Sequence, residues 1–175
     1  MKEIIYVDEA DIAIGSGTIR YAIENGIIRR VSRVILINDR GDILLQRRSE
    51  ETIPYPGLWN DSASGHVDVG ETYHDAAVRE LEEEMGISGI TLAEVGKFYR
   101  EEKEGALTRK AFNMLYTGVF NGAPDIDRVE VSEAKWVSTR ILTEWLSERP
   151  HEFTPELIQG FKLFLKSLSV RGLER

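Results

Sequence analysis

Cysteine is absent from the 175 residues of this chain. That absence excludes disulfide bonds, thiol nucleophiles and cysteine-ligated metal centres, and it is consistent with an intracellular location. Long apolar runs are missing too. The N-terminal residues contain no apolar segment of signal-peptide length, and nothing approaches the roughly 20 apolar residues of a membrane span. We therefore expect a cytoplasmic protein with no membrane partner.

Positive charge is scarce, since 22 Lys and Arg residues face 30 Asp and Glu residues and the net charge is −8. Proteins that bind nucleic acids without sequence preference, or that lie on membrane surfaces, usually carry basic patches. The composition therefore argues against a nucleic-acid or membrane partner. An anionic small molecule would have to be received by local cations, either a bound metal ion or a few arginines.

The length and the 42% hydrophobic content predict one domain, residues 1–175, with a proper core. Residues 1–30 predict a short N-terminal β extension with a small helix, and 31–49 predict a strand–turn–strand hairpin. Further strands are expected in 91–101 and 108–120, and helices in 139–148 and 154–168. Helices on both sides of a mixed sheet are the economical arrangement of these elements, which predicts an α/β fold of the α/β/α sandwich type.

The most informative segment is 65–87, which reads GHVDVGETYHDAAVRELEEEMGI. Thr72 is suited to cap the start of a helix and Gly86 to end it. Glu80, Glu83 and Glu84 would then share one helix face, because positions i, i+3 and i+4 lie together. One interpretation is a solvated acidic face. The other is a site for Mg²⁺ or Mn²⁺, hard cations that prefer carboxylate and phosphate oxygens.

This segment resembles the signature of the Nudix hydrolases, which has a glycine, a glutamate and an Arg-Glu…Glu-Glu core at fixed spacing. Every specified position is met, by Gly65, Glu71, Arg79, Glu80, Leu81, Glu83, Glu84, Gly86 and Ile87. The resemblance implies a Nudix-type α/β/α sandwich. It also implies Mg²⁺- or Mn²⁺-dependent hydrolysis of a diphosphate bond in a nucleoside diphosphate-linked or similar small molecule.

By the same resemblance, Glu83 and Glu84 are metal ligands and Glu80 is a ligand or the general base. The backbone carbonyl of Ser64 or Gly65 adds an oxygen. Arg79 is counted with the catalytic set, together with Glu80 and Glu83, although we expect it to pair with Glu71 in a structural role. A further ligand often precedes a tryptophan-bearing strand, and Glu130, with Glu133 second, has that position; the alternative is a surface glutamate.

Two adjacent arginines, Arg47 and Arg48, end a predicted strand. Neighbours in a strand face opposite sides, so at most one of them faces a given site. The resemblance favours Arg47 as a contact for substrate phosphate, whereas the alternative is two surface arginines. Ser64 and His66 flank the first glycine of the signature and are further candidates for substrate binding. His66 alternatively only hydrogen-bonds its own loop.

Other segments resemble the branch of this family that contains isopentenyl-diphosphate isomerases and their hydrolase relatives. The isomerase pattern requires a cysteine where this chain has Ser64, two histidines where Arg29 and Arg33 lie, and two glutamates where Arg109 and Ala111 lie. These departures favour hydrolysis. An isomerase activity and a non-catalytic nucleotide-sensing domain remain as alternatives, and the chain is expected to be a monomer or a homodimer.

Overall fold

The computed structural model describes residues 2–173, without the side chains of 171–173. Strands and helices alternate along the chain. The elements are β1 (Ile4–Val7), β2 (Ala13–Gly17), α1 (Ile19–Glu24), β3 (Ile28–Ile37), β4 (Asp42–Arg48), β5 (Trp59–Asn60), β6 (Ala63–His66), α2 (Tyr73–Met85), β7 (Ala93–Glu104), β8 (Leu107–Val119), β9 (Val131–Ser138), α3 (Thr139–Glu148), a 3₁₀ turn (Pro150–Glu152) and α4 (Pro155–Leu173).

Strand β3 is the centre of a mixed sheet. It runs parallel to β8 over ten residue pairs, from Ile28 opposite Lys110 to Ile37 opposite Val119, and antiparallel to β6 on its other edge. Most of its residues are buried, as expected for a strand that is covered on both faces. The sheet therefore brings the end of the N-terminal extension, the start of the signature and the strand β8 into one place.

The turn at 39–41 confirms the predicted chain reversal between β3 and β4. The predicted hairpin ladder, however, is wrong beyond its first step, because the two strands share only the pair Ile37–Ile43. Strand β4 diverges to pair with β9 and β5, while β3 joins β8 and β6. Both strands find better-buried partners far along the chain than in each other, which local sequence patterns do not report.

Helices cover both faces of the sheet. Val34 and Leu36 of β3 pack towards α2, against Leu81 and Met85, whereas Ile35 between them packs on the opposite side with residues of α3 and α4. This alternation is the expected period of two for a strand. It confirms the predicted α/β/α sandwich with a mixed sheet. No helix described in residues 2–173 is long and apolar enough to cross a membrane.

Helix α2 has the ends that the sequence predicts. The Thr72 side chain accepts a hydrogen bond from the Asp75 backbone N–H, and the Asp75 side chain accepts one in return from Thr72, which completes a capping box. Gly86 ends the helix with φ of 63°, and its N–H donates to Glu82 and Leu81 carbonyls. Both ends are thereby fixed, so the carboxylate-bearing face of α2 is held in one orientation.

The N-terminal extension is anchored to the sheet by Asp11. Its carboxylate accepts hydrogen bonds from Arg30 at 2.7 Å, Lys97 at 2.6 Å and Tyr73 at 3.0 Å, residues that belong to β3, β7 and α2. Burial alone would raise the pKa of Asp11, but these hydrogen bonds outweigh it and hold the pKa below its ordinary value. The extension is therefore tied to three elements of the main fold.

Replacing Gly86 by alanine should destabilise the chain more than the same change at Gly89. Both glycines have positive φ, 63° and 71°, where a Cβ costs about 1–2 kcal/mol. A Cβ on Gly86 would also lie 2.7 Å from the Asp125 backbone oxygen, whereas one on Gly89 meets nothing within 4 Å. Urea denaturation of both variants tests this. Equal losses of unfolding free energy would contradict the contact.

Candidate active site

A cavity of about 460 Å³ opens on the sheet where β3, β6 and β8 lie side by side. Helix α2 forms one wall and the loop at 49–58 another, while the N-terminal extension contributes Ile4, Ile19 and Ile23. Polar and charged side chains dominate the rest of the lining. The cavity therefore combines an apolar side with an ionic one.

The three carboxylates predicted on one face of α2 all line this cavity. Glu84 is the deepest, with 4% of its surface exposed, and its Oε2 accepts hydrogen bonds from Gln46 Nε2 at 2.6 Å and the Ser64 backbone N–H at 3.0 Å. Burial raises the pKa of Glu84 to about 8. The side chain of Glu83, in contrast, is 50% exposed. One helical turn thus presents carboxylates at different depths.

Glu80 lies directly against the backbone of Gly65. A Cβ on Gly65 would overlap the carboxyl group of Glu80, so any larger residue would force that side chain to move. Burial raises the pKa of Glu80 to about 7, although the adjacent Arg79 opposes this shift. The glycine that opens the signature therefore allows the close approach of a glutamate from the helix.

Arg79 connects the loop to the helix, which confirms its predicted pairing with Glu71. Its Nε and Nη2 donate to the two carboxylate oxygens of Glu71 at 2.6 and 2.9 Å, and Nη2 also donates to the His66 carbonyl at 2.9 Å. Its Nη1 reaches Glu80 at 2.5 Å and Glu83 at 3.1 Å. One guanidinium thus contacts three carboxylates and holds the backbone beside Gly65.

The donor set fits a hard divalent cation in its chemistry. Glu80 and Glu84 are buried carboxyl groups whose anionic forms are disfavoured by burial, and a divalent cation would stabilise those forms. Within residues 2–173, however, no three acidic or histidine side chains already converge as a cation site. Binding would therefore require the side chains of Glu80 and Glu83 to move from Arg79 towards the ion.

Glu130, the candidate for an additional ligand, lines the cavity and lies just before β9. Glu133, the second candidate, is not part of the cavity wall and is paired across the sheet with Arg47. The structure therefore brings Glu130, and not Glu133, to the three glutamates of α2. This position agrees with the expectation that the loop before β9 supplies a carboxylate.

Of the two arginines that end β4, Arg48 lines the cavity and Arg47 does not. Arg47 Nε donates instead to the Gly57 carbonyl at 2.8 Å. Arg48 Nε donates to the Pro54 carbonyl at 2.9 Å, and burial lowers the pKa of Arg48. The structure therefore places Arg48, and not the predicted Arg47, in the cavity wall. The contact of Gln46 with Glu84 shows which face of β4 lies towards the cavity. Arg48 shares that face because residues two apart in a strand point to the same side.

Ser64 and His66 both line the cavity beside Gly65. Ser64 Oγ accepts a hydrogen bond from Asn60 Nδ2 at 3.0 Å. His66 Nε2 lies 2.8 Å from Arg29 Nη1, which can only donate, so Nε2 accepts and the proton of the neutral ring is on Nδ1. Burial and the neighbouring arginines lower the pKa of His66 to about 3. His66 is therefore a neutral acceptor that orients Arg29.

A model of the NUDIX domain family matches residues 28–157, most of the chain. The chain belongs to the Nudix hydrolase family. It is 34% identical over 166 residues to an uncharacterized Nudix hydrolase of Pseudomonas aeruginosa, covering 93% of this chain and 92% of the relative. It is also 32% identical over 173 residues to an isopentenyl-diphosphate Delta-isomerase of Serratia proteamaculans, covering 98% and 94%. The Nudix resemblance and its isomerase-containing branch are thus confirmed.

Solved structures share the Nudix fold. The crystal structure of DR0079 from Deinococcus radiodurans aligns with a TM-score of 0.71 at 21% identity, over 85% of this chain and 90% of that one. The NUDIX domain of Shewanella oneidensis NrtR, determined with ADP ribose, aligns with a TM-score of 0.63 at 19% identity, over 80% and 88%. At these identities the likeness establishes the fold alone.

Arg79→Gln should destabilise the chain, because it removes the charged hydrogen-bond donors of Glu71, Glu80 and Glu83. Charge-assisted hydrogen bonds of this kind contribute about 1.5–3 kcal/mol each, so a loss of at least about 1.5 kcal/mol of unfolding free energy is expected in urea denaturation. The control is Arg140→Gln, which removes an exposed i,i+4 pair with Glu144 and should cost less than about 0.5 kcal/mol. Equal effects would show that Arg79 does not organise the site.

Proposed function

We propose that this chain hydrolyses a diphosphate bond in a nucleoside diphosphate-linked or similar small molecule, with Mg²⁺ or Mn²⁺ as cofactor. The supporting observation is that Glu80, Glu83 and Glu84 face one cavity, whose wall also carries Arg48 and Glu130. Family membership supports cleavage of a diphosphate bond in general. The choice of cofactor follows from the oxygen-only donor set, which hard divalent cations prefer.

Glu84, Glu83 and Glu80 are the side chains that would hold the cation, with Glu130 as a further carboxylate and the Gly65 carbonyl as an additional oxygen. When bound, the cation supplies neutralisation of the charge on the bridging and leaving phosphate oxygens. Gln46 and the Ser64 N–H fix the orientation of Glu84. Either Glu80 or Glu83 is in place to orient the attacking water and accept its proton.

Arg48 supplies the positive charge for the substrate on the loop side of the cavity. Its guanidinium is held against the Pro54 carbonyl, so it is positioned before any ligand binds. His66 and Ser64 present neutral groups next to Gly65 and are suited to contact the substrate rather than to carry charge. The proposed partner is thus one small anionic molecule, received between an arginine on β4 and the carboxylates on α2.

Glu83→Gln should lower turnover by on the order of 100-fold or more, because a neutral amide no longer attracts the cation or accepts a proton. The matched control is Glu82→Gln, which changes the neighbouring residue on the exposed side of α2, outside the cavity wall. Both proteins are assayed on nucleoside di- and triphosphates, sugar nucleotides and dinucleoside polyphosphates, with Mg²⁺ or Mn²⁺.

Chelation with EDTA should abolish the activity of the unmodified chain, and added Mg²⁺ should restore it. Circular dichroism and urea denaturation of Glu83→Gln check that the fold is retained. Equal turnover in the Glu83 and Glu82 variants would contradict the role of the α2 carboxylates. Absence of turnover on the whole panel with either cation would contradict the proposed function.

The second candidate is isomerisation of an isoprenoid diphosphate, which the similarity to named isopentenyl-diphosphate isomerases favours. The cavity argues against it, because Ser64 lies at the position of the required thiol and serine is a much weaker acid for such a proton transfer. We expect no deuterium from heavy water in an isopentenyl-type diphosphate incubated with the chain, as measured by mass spectrometry. Deuterium incorporation at a catalytic rate would favour the isomerase instead.

A further inference from the structure

Two arginines from distant parts of the chain meet on the cavity wall. Strands β3 and β8 run parallel, and their register places Arg29 opposite Ala111. Arg109 precedes Ala111 by two residues and therefore shares its face of β8. Both arginines line the cavity. Because the side chain of alanine has no polar atom, Ala111 offers the Arg29 guanidinium no hydrogen-bond partner from β8.

A third arginine of the cavity wall, Arg33, serves for comparison because its charge is paired within the protein. Its Nη1 donates to Asp61 at 2.6 Å and its Nε to Asn113 at 2.8 Å, in a buried ion pair. Its charge is balanced within the protein. Arg33 is therefore explained by packing and needs no ligand.

Arg29 lacks such compensation among the described residues, and the carboxylate that compensates Arg109 belongs to an exposed side chain. In both, the Nε–H is buried and has no hydrogen-bond partner among the described atoms. Arg29 hydrogen-bonds only the neutral ring of His66, and Arg109 reaches Glu104, whose side chain is 70% exposed. Unmade hydrogen bonds of buried charged groups are costly, so such donors usually have a partner.

The charged groups around Arg29 also indicate that its guanidinium has no carboxylate partner of its own. Burial, and next the like charge of Arg109, lower the pKa of Arg29 to about 10, while Glu156 opposes this shift. Glu156, however, lies 3.3 Å from Arg100 Nε, so its carboxylate is already shared. No ion pair of Arg29 with a carboxylate exists in the part of the chain that the structure describes. Arg29 is therefore a buried guanidinium in the cavity wall that has no carboxylate of its own and lies near a second arginine, while Glu102 and Glu156 of the same wall pair with Arg100.

We propose that Arg29 and Arg109 form an oxyanion subsite that binds a second anionic group of the substrate, a phosphate or a carboxylate. The inference rests on the proposed function, because that function supplies the diphosphate that the α2 carboxylates and Arg48 receive. The guanidinium N–H groups of Arg29 and Arg109 donate to the second group, and His66 fixes the orientation of Arg29. Ala111 places no competing polar group opposite Arg29. Preferred substrates therefore carry an oxyanion in addition to the cleaved diphosphate.

The first experiment uses inorganic phosphate as the probe and the metal-free full chain, so that it does not depend on catalysis. In arginine-side-chain NMR spectra, the Nε–Hε signals of Arg29 and Arg109, assigned with Arg29→Lys and Arg109→Lys, should shift on titration with phosphate. Calorimetry should show about tenfold or greater loss of phosphate affinity in Arg29→Gln and in Arg109→Gln. Arg140→Gln, at an exposed site, should leave the affinity unchanged.

The sharpest variant is Ala111→Glu, which places a carboxylate opposite Arg29 and should abolish phosphate binding by occupying the guanidinium. Ala111→Gln has nearly the same size without the charge and should retain more than half of the binding free energy of the unmodified chain. Unshifted Nε–Hε signals would overturn the subsite. Equal loss of affinity in the two Ala111 variants would overturn it as well, because size and not charge would then be responsible.

A second arm identifies the source of the anion. If the subsite holds a group of the substrate, phosphate inhibits turnover competitively, and Ala111→Glu removes the inhibition. Non-competitive behaviour would assign the subsite to free phosphate and overturn the substrate role. The two proposals can fail separately. Loss of activity in Glu83→Gln with intact phosphate binding supports both of them. Phosphate binding without turnover on any diphosphate retains the anion site but contradicts the proposed function and, with it, the substrate role.

Discussion

The organisation of the site depends on one guanidinium, that of Arg79. Glu71, Glu80 and Glu83 would repel one another if they were left alone, and Arg79 contacts all three while holding the His66 carbonyl. Because that carbonyl belongs to the strand next to β3, the loop before α2 cannot move independently of the helix. The rest of the cavity is built on this fixed corner, including the ring of His66 that orients Arg29.

The sequence predicted the parts of the molecule that local rules govern. The helix α2, its Thr72 cap and its Gly86 end follow from residue types within one or two turns, and the shared face of Glu80 and Glu84 follows from helical geometry. Glycine at position 65 was expected from the family signature. The physical reason for it, contact with the Glu80 carboxyl, became visible only in three dimensions.

The features that the sequence could not predict depend on partners far along the chain. The sequence analysis chose Arg47 and not Arg48 because alternation along a strand does not say which of two neighbours faces the site. That choice requires a known contact on one face, here the contact of Gln46 with Glu84, 38 residues away. The β3–β4 ladder failed for the same reason, because β6 occupies the edge of β3 that β4 would have paired with. Arg29 and Arg109 were noted separately as departures from the isomerase pattern. Only the parallel pairing of β3 and β8 shows that the two arginines belong to one part of the cavity wall.

The N-terminal extension lies before residue 28, where the match to the family begins, yet Ile4, Ile19 and Ile23 form part of the cavity wall. The segment that carries the α2 carboxylates and a segment that shapes the pocket are thus separate in the sequence. Substitutions at these three isoleucines would change the shape of the apolar side of the pocket and leave every residue of α2 in place.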